Sequence, residues 1–79
     1  ERRQAIAKQF PKLSAGEVGY LAMLSHFDDA MGKLQNYLDA SAQNNNTLIF
    51  FLSDNGGYAL VGKYNAGMRG GKSRLYEGG

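Results

Sequence analysis

An α/β class is what these 79 residues predict, in the order of one long helix, one buried strand and a glycine-rich loop. Three observations carry that expectation. Apolar residues recur at alternating steps of four and three through the first half of the chain. A compact apolar, β-prone run without alternation comes next. Eight of the eleven glycines then fall beyond Asp54. The boundaries expected are a helix over about 14–42, a strand over about 47–53 and a loop over about 54–79, all within one domain covering 1–79.

The elements follow in chain order. From Glu1 to Lys12 the sequence is polar with a short apolar trace, Ala5, Ile6, Ala7 and Phe10. It reads as a helical turn or two that stops at Pro11, because the residue before a proline avoids the α region. Ser14 and Glu17 then have the spacing of a capping box, each side chain meeting the other's free backbone N–H. Tyr20, Leu24, Phe27, Met31, Leu34 and Leu38 share one stripe of the helix that follows. Gly16, Gly19 and Gly32 each cost that helix up to about 1 kcal/mol, so packing has to hold it. Asn44-Asn45-Asn46 is expected to end it, since asparagine tolerates the left-handed region. Thr47 to Ser53 is apolar on both faces and reads as a strand of a parallel sheet. Ligand sites in such sheets lie beyond the carboxyl ends of strands, which points to Asp54-Asn55-Gly56-Gly57.

Composition narrows the function classes. A net charge of +2 is too weak to argue for nucleic acid as a partner. The chain has no cysteine, hence no disulfide and no thiol nucleophile. Its apolar runs are far shorter than the roughly 20 residues that span a membrane, and no apolar leader follows Glu1-Arg2-Arg3. A start at Glu1 rather than Met reads as a piece of a longer product. After Asp54 the charge is basic, with Lys63, Arg69, Lys72 and Arg74 against Glu77. A basic, glycine-rich end suits either a loop that holds an anion or a solvated tail.

Several residues carry possible chemistry. Asp54 and Asn55 offer two hard oxygen ligands for Ca²⁺ or Mg²⁺, although Asn-Gly is also a tight-turn dipeptide. Two ligands cannot complete a calcium shell, so any such site borrows the rest from elsewhere. Ala66 to Ser73 fits a loosened phosphate-loop pattern, but its mechanism needs a strand just before the loop and a helix starting at the lysine. The strand ends about a dozen residues too early, which excludes nucleotide binding on context. His26 reads as a surface or partly buried helix residue. Asp28 and Asp29 point about 100° apart on a helix and do not converge as a catalytic pair.

The order of these pieces resembles the sulfatase family of the alkaline-phosphatase-like superfamily, over nearly the whole chain from about Ser14 onward. The residues that carry the resemblance are the helix Tyr20 to Gly32, then Ser53-Asp54-Asn55-Gly56-Gly57, then Met68-Arg69-Gly70-Gly71-Lys72 and Tyr76-Glu77-Gly78-Gly79. It implies part of a single catalytic domain, a piece of the superfamily's sandwich. It implies that Asp54 and Asn55 help hold a calcium ion and that the catalytic Lys72 contacts the sulfate group. A formylglycine nucleophile, made from Cys or Ser, attacks sulfur in that family. Arg69, Tyr76 and Glu77 are implied to shape the loop, and Lys63 lies in its variable part. The implied substrate is a sulfate ester, small molecule or glycan, and the implied compartment is periplasmic, extracellular or lysosomal. The implied partner is the remainder of the parent chain, with no nucleic acid and no membrane.

The departures are as informative. The formylglycine motif needs Cys or Ser, then Pro two residues later and Arg two beyond, yet the one proline is Pro11, with Gln9 two before it. The upstream aspartates that would complete the metal site are missing too. Gly67-Met68 stands where Pro-Leu is expected before Arg-Gly. The chain alone is therefore expected to be inactive. Two other readings stand beside this one: a phosphate or phosphonate ester hydrolase of the same superfamily, and a non-catalytic anion-binding module.

Overall fold

The computed structural model describes residues 1–58 and 64–79, so Lys63 and the rest of the expected loop over 59–62 lie outside the described residues. Helix α1 spans Arg2–Gln9 and stops at Phe10, whose N–H closes the last turn on Ile6 O at 2.9 Å. Pro11 then prevents continuation. Helix α2 spans Ala15–Ala40 with Ser14 as its N-cap. The capping box is formed: Ser14 Oγ accepts the Glu17 N–H at 3.3 Å, and the Ser14 N–H donates to Glu17 Oε2 at 2.8 Å. Two orphan donors of the first turn are thereby satisfied.

The end of α2 differs from the asparagine stop expected of it. Ala42 enters the left-handed region at φ 57°, and Asn44–Asn46 form a short 3₁₀ turn instead. A left-handed residue just past the last turn is the usual way to release a helix, and here alanine takes the place that glycine would fill without strain.

The α/β expectation, and with it the sandwich, is overturned. Among the described residues there are two α-helices and one 3₁₀ turn, and no strand. The run over 47–53 is irregular, and Leu48, Phe50, Phe51 and Leu52 are mostly exposed. The reason lies in the nature of a strand. Its backbone groups are satisfied only across a ladder, and among the described residues no strand pairs with this run. β-propensity measures fit to a sheet surface, and the described residues form no sheet.

The two helices pack against each other at the N-terminal half of α2. Arg2 donates to Ser25 Oγ at 2.9 Å and forms an ion pair with Asp29. That guanidinium holds the Asp29 carboxyl below its usual range. The Arg3 side chain lies over Gly19. Val18, Ala22 and Leu38 are the buried apolar side chains among the described residues. Of the predicted stripe, Leu38 is buried, while Leu24, Phe27 and Leu34 remain exposed. Two ring contacts bring the second half of the chain onto α2: Phe27 on Phe51 at 6.1 Å and Tyr20 on Tyr64 at 6.0 Å.

Candidate functional site

Glycines decide how the segments on either side of residues 59–63 meet. A Cβ at Gly56 would fall on the carbonyl oxygen of Gly78, and one at Gly71 would crowd the carbonyl of Gly57. Only a residue without Cβ lets these backbones approach so closely. Their approach is fixed by hydrogen bonds. The Lys72 N–H donates to Gly57 O at 3.1 Å, and the Gly78 N–H donates to Arg69 O at 2.9 Å. Ser53 Oγ donates to Asn55 O at 2.7 Å, bending the chain just at Asp54.

The loop is closed by a charged clamp. Arg69 Nε and Nη2 donate to the two carboxylate oxygens of Glu77 at 3.0 and 3.2 Å, and the Arg69 backbone N–H adds a third bond at 3.3 Å. The guanidinium also sits 5.0 Å from the centre of the Tyr76 ring. A two-pronged arginine–carboxylate pair fixes orientation as well as distance. The bond from Arg69 lowers the Glu77 carboxyl below its ordinary value. Arg69, Tyr76 and Glu77, which the resemblance implies shape the loop, are thus in contact with one another here.

Asp54, Asn55 and Lys72 come together. They border one open cavity of about 750 Å³, whose wall on the helix side is Gly16, Tyr20 and Met23. Asp54 and Lys72 are exposed and Asn55 is half-buried. Asn55 Nδ2 donates to Gly56 O at 2.9 Å, which leaves its amide oxygen as the group available to a ligand. Lys72 also borders a second recess of about 610 Å³, shared with Ser73 and Arg74.

The donor set is that of a hard cation, one carboxylate and one amide oxygen. Among the described residues no group of three or more His, Cys, Asp or Glu could hold a metal ion. The pair fits as two ligands of a larger shell. Other candidates lie elsewhere. His26, Asp28 and Asp29 border a separate recess near Arg2. Beyond Lys72 no helix starts among the described residues, so the phosphate-loop pattern lacks its helix N-terminus. No helix among the described residues is long and apolar enough to cross a membrane.

Sequence reasoning missed Asn65. Its side chain accepts from the Gly57 N–H at 2.8 Å and donates to Gly70 O at 3.1 Å and Gly78 O at 2.8 Å. A polar residue that serves only backbone groups leaves no chemical motif. The one signal was an asparagine standing among glycines whose carbonyls need donors.

Comparison with known proteins follows the same segments. The model of the family described as Sulfatase matches residues 18–79, a span holding Asp54, Asn55, Asn65 and Lys72. Over 60 residues, 76% of this chain, the sequence is 40% identical to arylsulfatase J of Mus musculus. The chain spans about a tenth of that relative's length, the match covering 10% of it. No solved structure matches.

Proposed function

The chain belongs to the sulfatase family, and we propose from that premise that it forms the calcium and sulfate end of a sulfuric ester hydrolase active site. One observation carries the reading: Asp54, Asn55 and Lys72 border a single cavity, and Lys72 is tied by its own backbone to Gly57, two residues past that pair. A carboxylate, an amide oxygen and an ammonium facing one space are the groups that a sulfate ester and a hard cation need together.

Asp54 and Asn55 would hold the calcium ion as two of its oxygen ligands. When bound, such an ion polarises the ester oxygens and offsets their negative charge. Lys72 has a distinct task. Its ammonium makes no ion pair among the described residues, so its charge remains available to the sulfate oxygens as charge grows there. The Arg69–Glu77 clamp keeps the second basic side chain of the loop occupied, so Arg69 shapes the cavity without competing for the anion. The nucleophile, a formylglycine, lies outside these 79 residues, which contain neither cysteine nor the Ser-x-Pro-x-Arg spacing.

The test is hydrolysis of 4-nitrophenyl sulfate by the full-length enzyme. Lys72→Ala should lower kcat/KM at least about tenfold, or about 1.4 kcal/mol, because it removes a charge aimed at the transferring group. Unchanged hydrolysis of the sulfate ester would remove Lys72 from the site. Loss confined to 4-nitrophenyl phosphate would move the enzyme to phosphate esters instead.

A further inference from the structure

Asn65 brings no charge and no nucleophile, and it has no part in the metal or anion roles above. It is nevertheless where the two halves of the site are joined. Its Oδ1 accepts the Gly57 N–H at 2.8 Å, while the Gly57 carbonyl accepts the Lys72 N–H at 3.1 Å. Gly57 is therefore held from both of its polar groups, by Asn65 on one side and by Lys72 on the other. The Nδ2 group reaches Gly70 O at 3.1 Å, two residues before Lys72, and Gly78 O at 2.8 Å in the closing turn. A single carboxamide spans the carboxylate segment, the approach to the lysine and the end of the loop.

The residue is itself well anchored. The ring of its neighbour Tyr64 lies against Tyr20 of α2 at 6.0 Å. Its own carbonyl accepts the Met68 N–H at 3.0 Å. The chemistry also specifies asparagine. Two donors and one acceptor are needed in one plane at one reach, and only a carboxamide supplies both kinds. Aspartate has the same shape but would set a carboxylate oxygen against the carbonyls of Gly70 and Gly78.

We infer that Asn65 is a positioning residue of the sulfate site, fixing Lys72 relative to Asp54 and Asn55 through Gly57. The role rests on the sulfate-ester reading above. It predicts that Asn65 matters to sulfate only through the lysine whose place it sets.

The experiment is calorimetric titration of the calcium-saturated, full-length protein with inorganic sulfate. Asn65→Ala and Asn65→Asp are each made alone and in a Lys72→Ala background. Each single variant should bind sulfate about tenfold more weakly, because a displaced charge loses most of its effect. In the Lys72→Ala background neither should cause a further loss, since no ammonium is left to misplace. Asn65→Asp fills the same volume and keeps the acceptor for Gly57, so it tests the role even where the alanine variant folds poorly. Equal losses in both backgrounds would mean that Asn65 acts on folding in general, and would overturn the role. Native sulfate affinity in Asn65→Asp would overturn it as well. Should Lys72→Ala by itself leave sulfate affinity unchanged, the sulfate-ester reading fails first and the positioning role falls with it.

Discussion

Glu77 shows how one side chain shapes a site it does not serve chemically. Its carboxyl is held below the ordinary range first by the bond from Arg69 and then by backbone N–H groups. A lowered folded value means the clamp contributes fully above the unfolded carboxyl value of about 4.3 and is lost as pH falls through the folded value. At neutral pH, Glu77→Gln should therefore loosen the loop as acid does in the native protein. Hydrogen exchange on the full-length protein should show faster amide exchange at Arg69 and Gly78 in the variant. Exchange as slow as in the native protein would mean that the backbone bonds hold this turn without the clamp. At this scale legibility follows chemistry. Asp54, Asn55 and Lys72 could be singled out because their groups ligate cations or meet anions wherever the backbone runs. Asn65 could not, because its function exists only once three distant backbone groups are brought to it.

Helix α2 was legible because its signals are local. Period, cap and length are all written within Ser14 to Ala40, and the structure forms the capping box that Ser14 and Glu17 imply. Its stop was less so, since the left-handed residue is Ala42, which carries no mark of that conformation in sequence. The run over 47–53 is the opposite case. Its composition is that of a covered strand, but a strand is a relation between segments, and among the described residues no second segment completes it. The cap allows a direct check. Ser14→Ala should destabilise the full-length protein by about 1 kcal/mol and Ser14→Gly by only a few tenths, since glycine leaves the N-terminal N–H groups open to water. Denaturant unfolding measures both. Equal costs for the two would show that α2 does not depend on this cap.

The molecule as a whole is thin and open. The Cα radius of gyration is 16.0 Å and the principal extents are 42 × 36 × 16 Å. A compact domain of this length has a radius of gyration of about 12 Å. Among the described residues few apolar side chains are buried, while Leu48, Phe50, Phe51 and Leu52 are 73% exposed or more. So little burial cannot offset the entropy of ordering the chain. The isolated 79 residues should therefore self-associate and show no cooperative thermal transition. A monomer that melts in one sharp step would contradict this. The proposed calcium site would depend on that wider frame, because two oxygen ligands need four or more others to complete such a shell. Asp54, Asn55 and Lys72 are proposed to serve one sulfate ester through one cation. The most direct test is the calcium dependence of 4-nitrophenyl sulfate hydrolysis by full-length Asp54→Ala. The half-saturating calcium concentration should rise at least about tenfold, with rate lost at low calcium, because the variant lacks the charged ligand of the pair. A calcium curve identical to that of the native enzyme would place the metal on other residues and remove Asp54 from its shell.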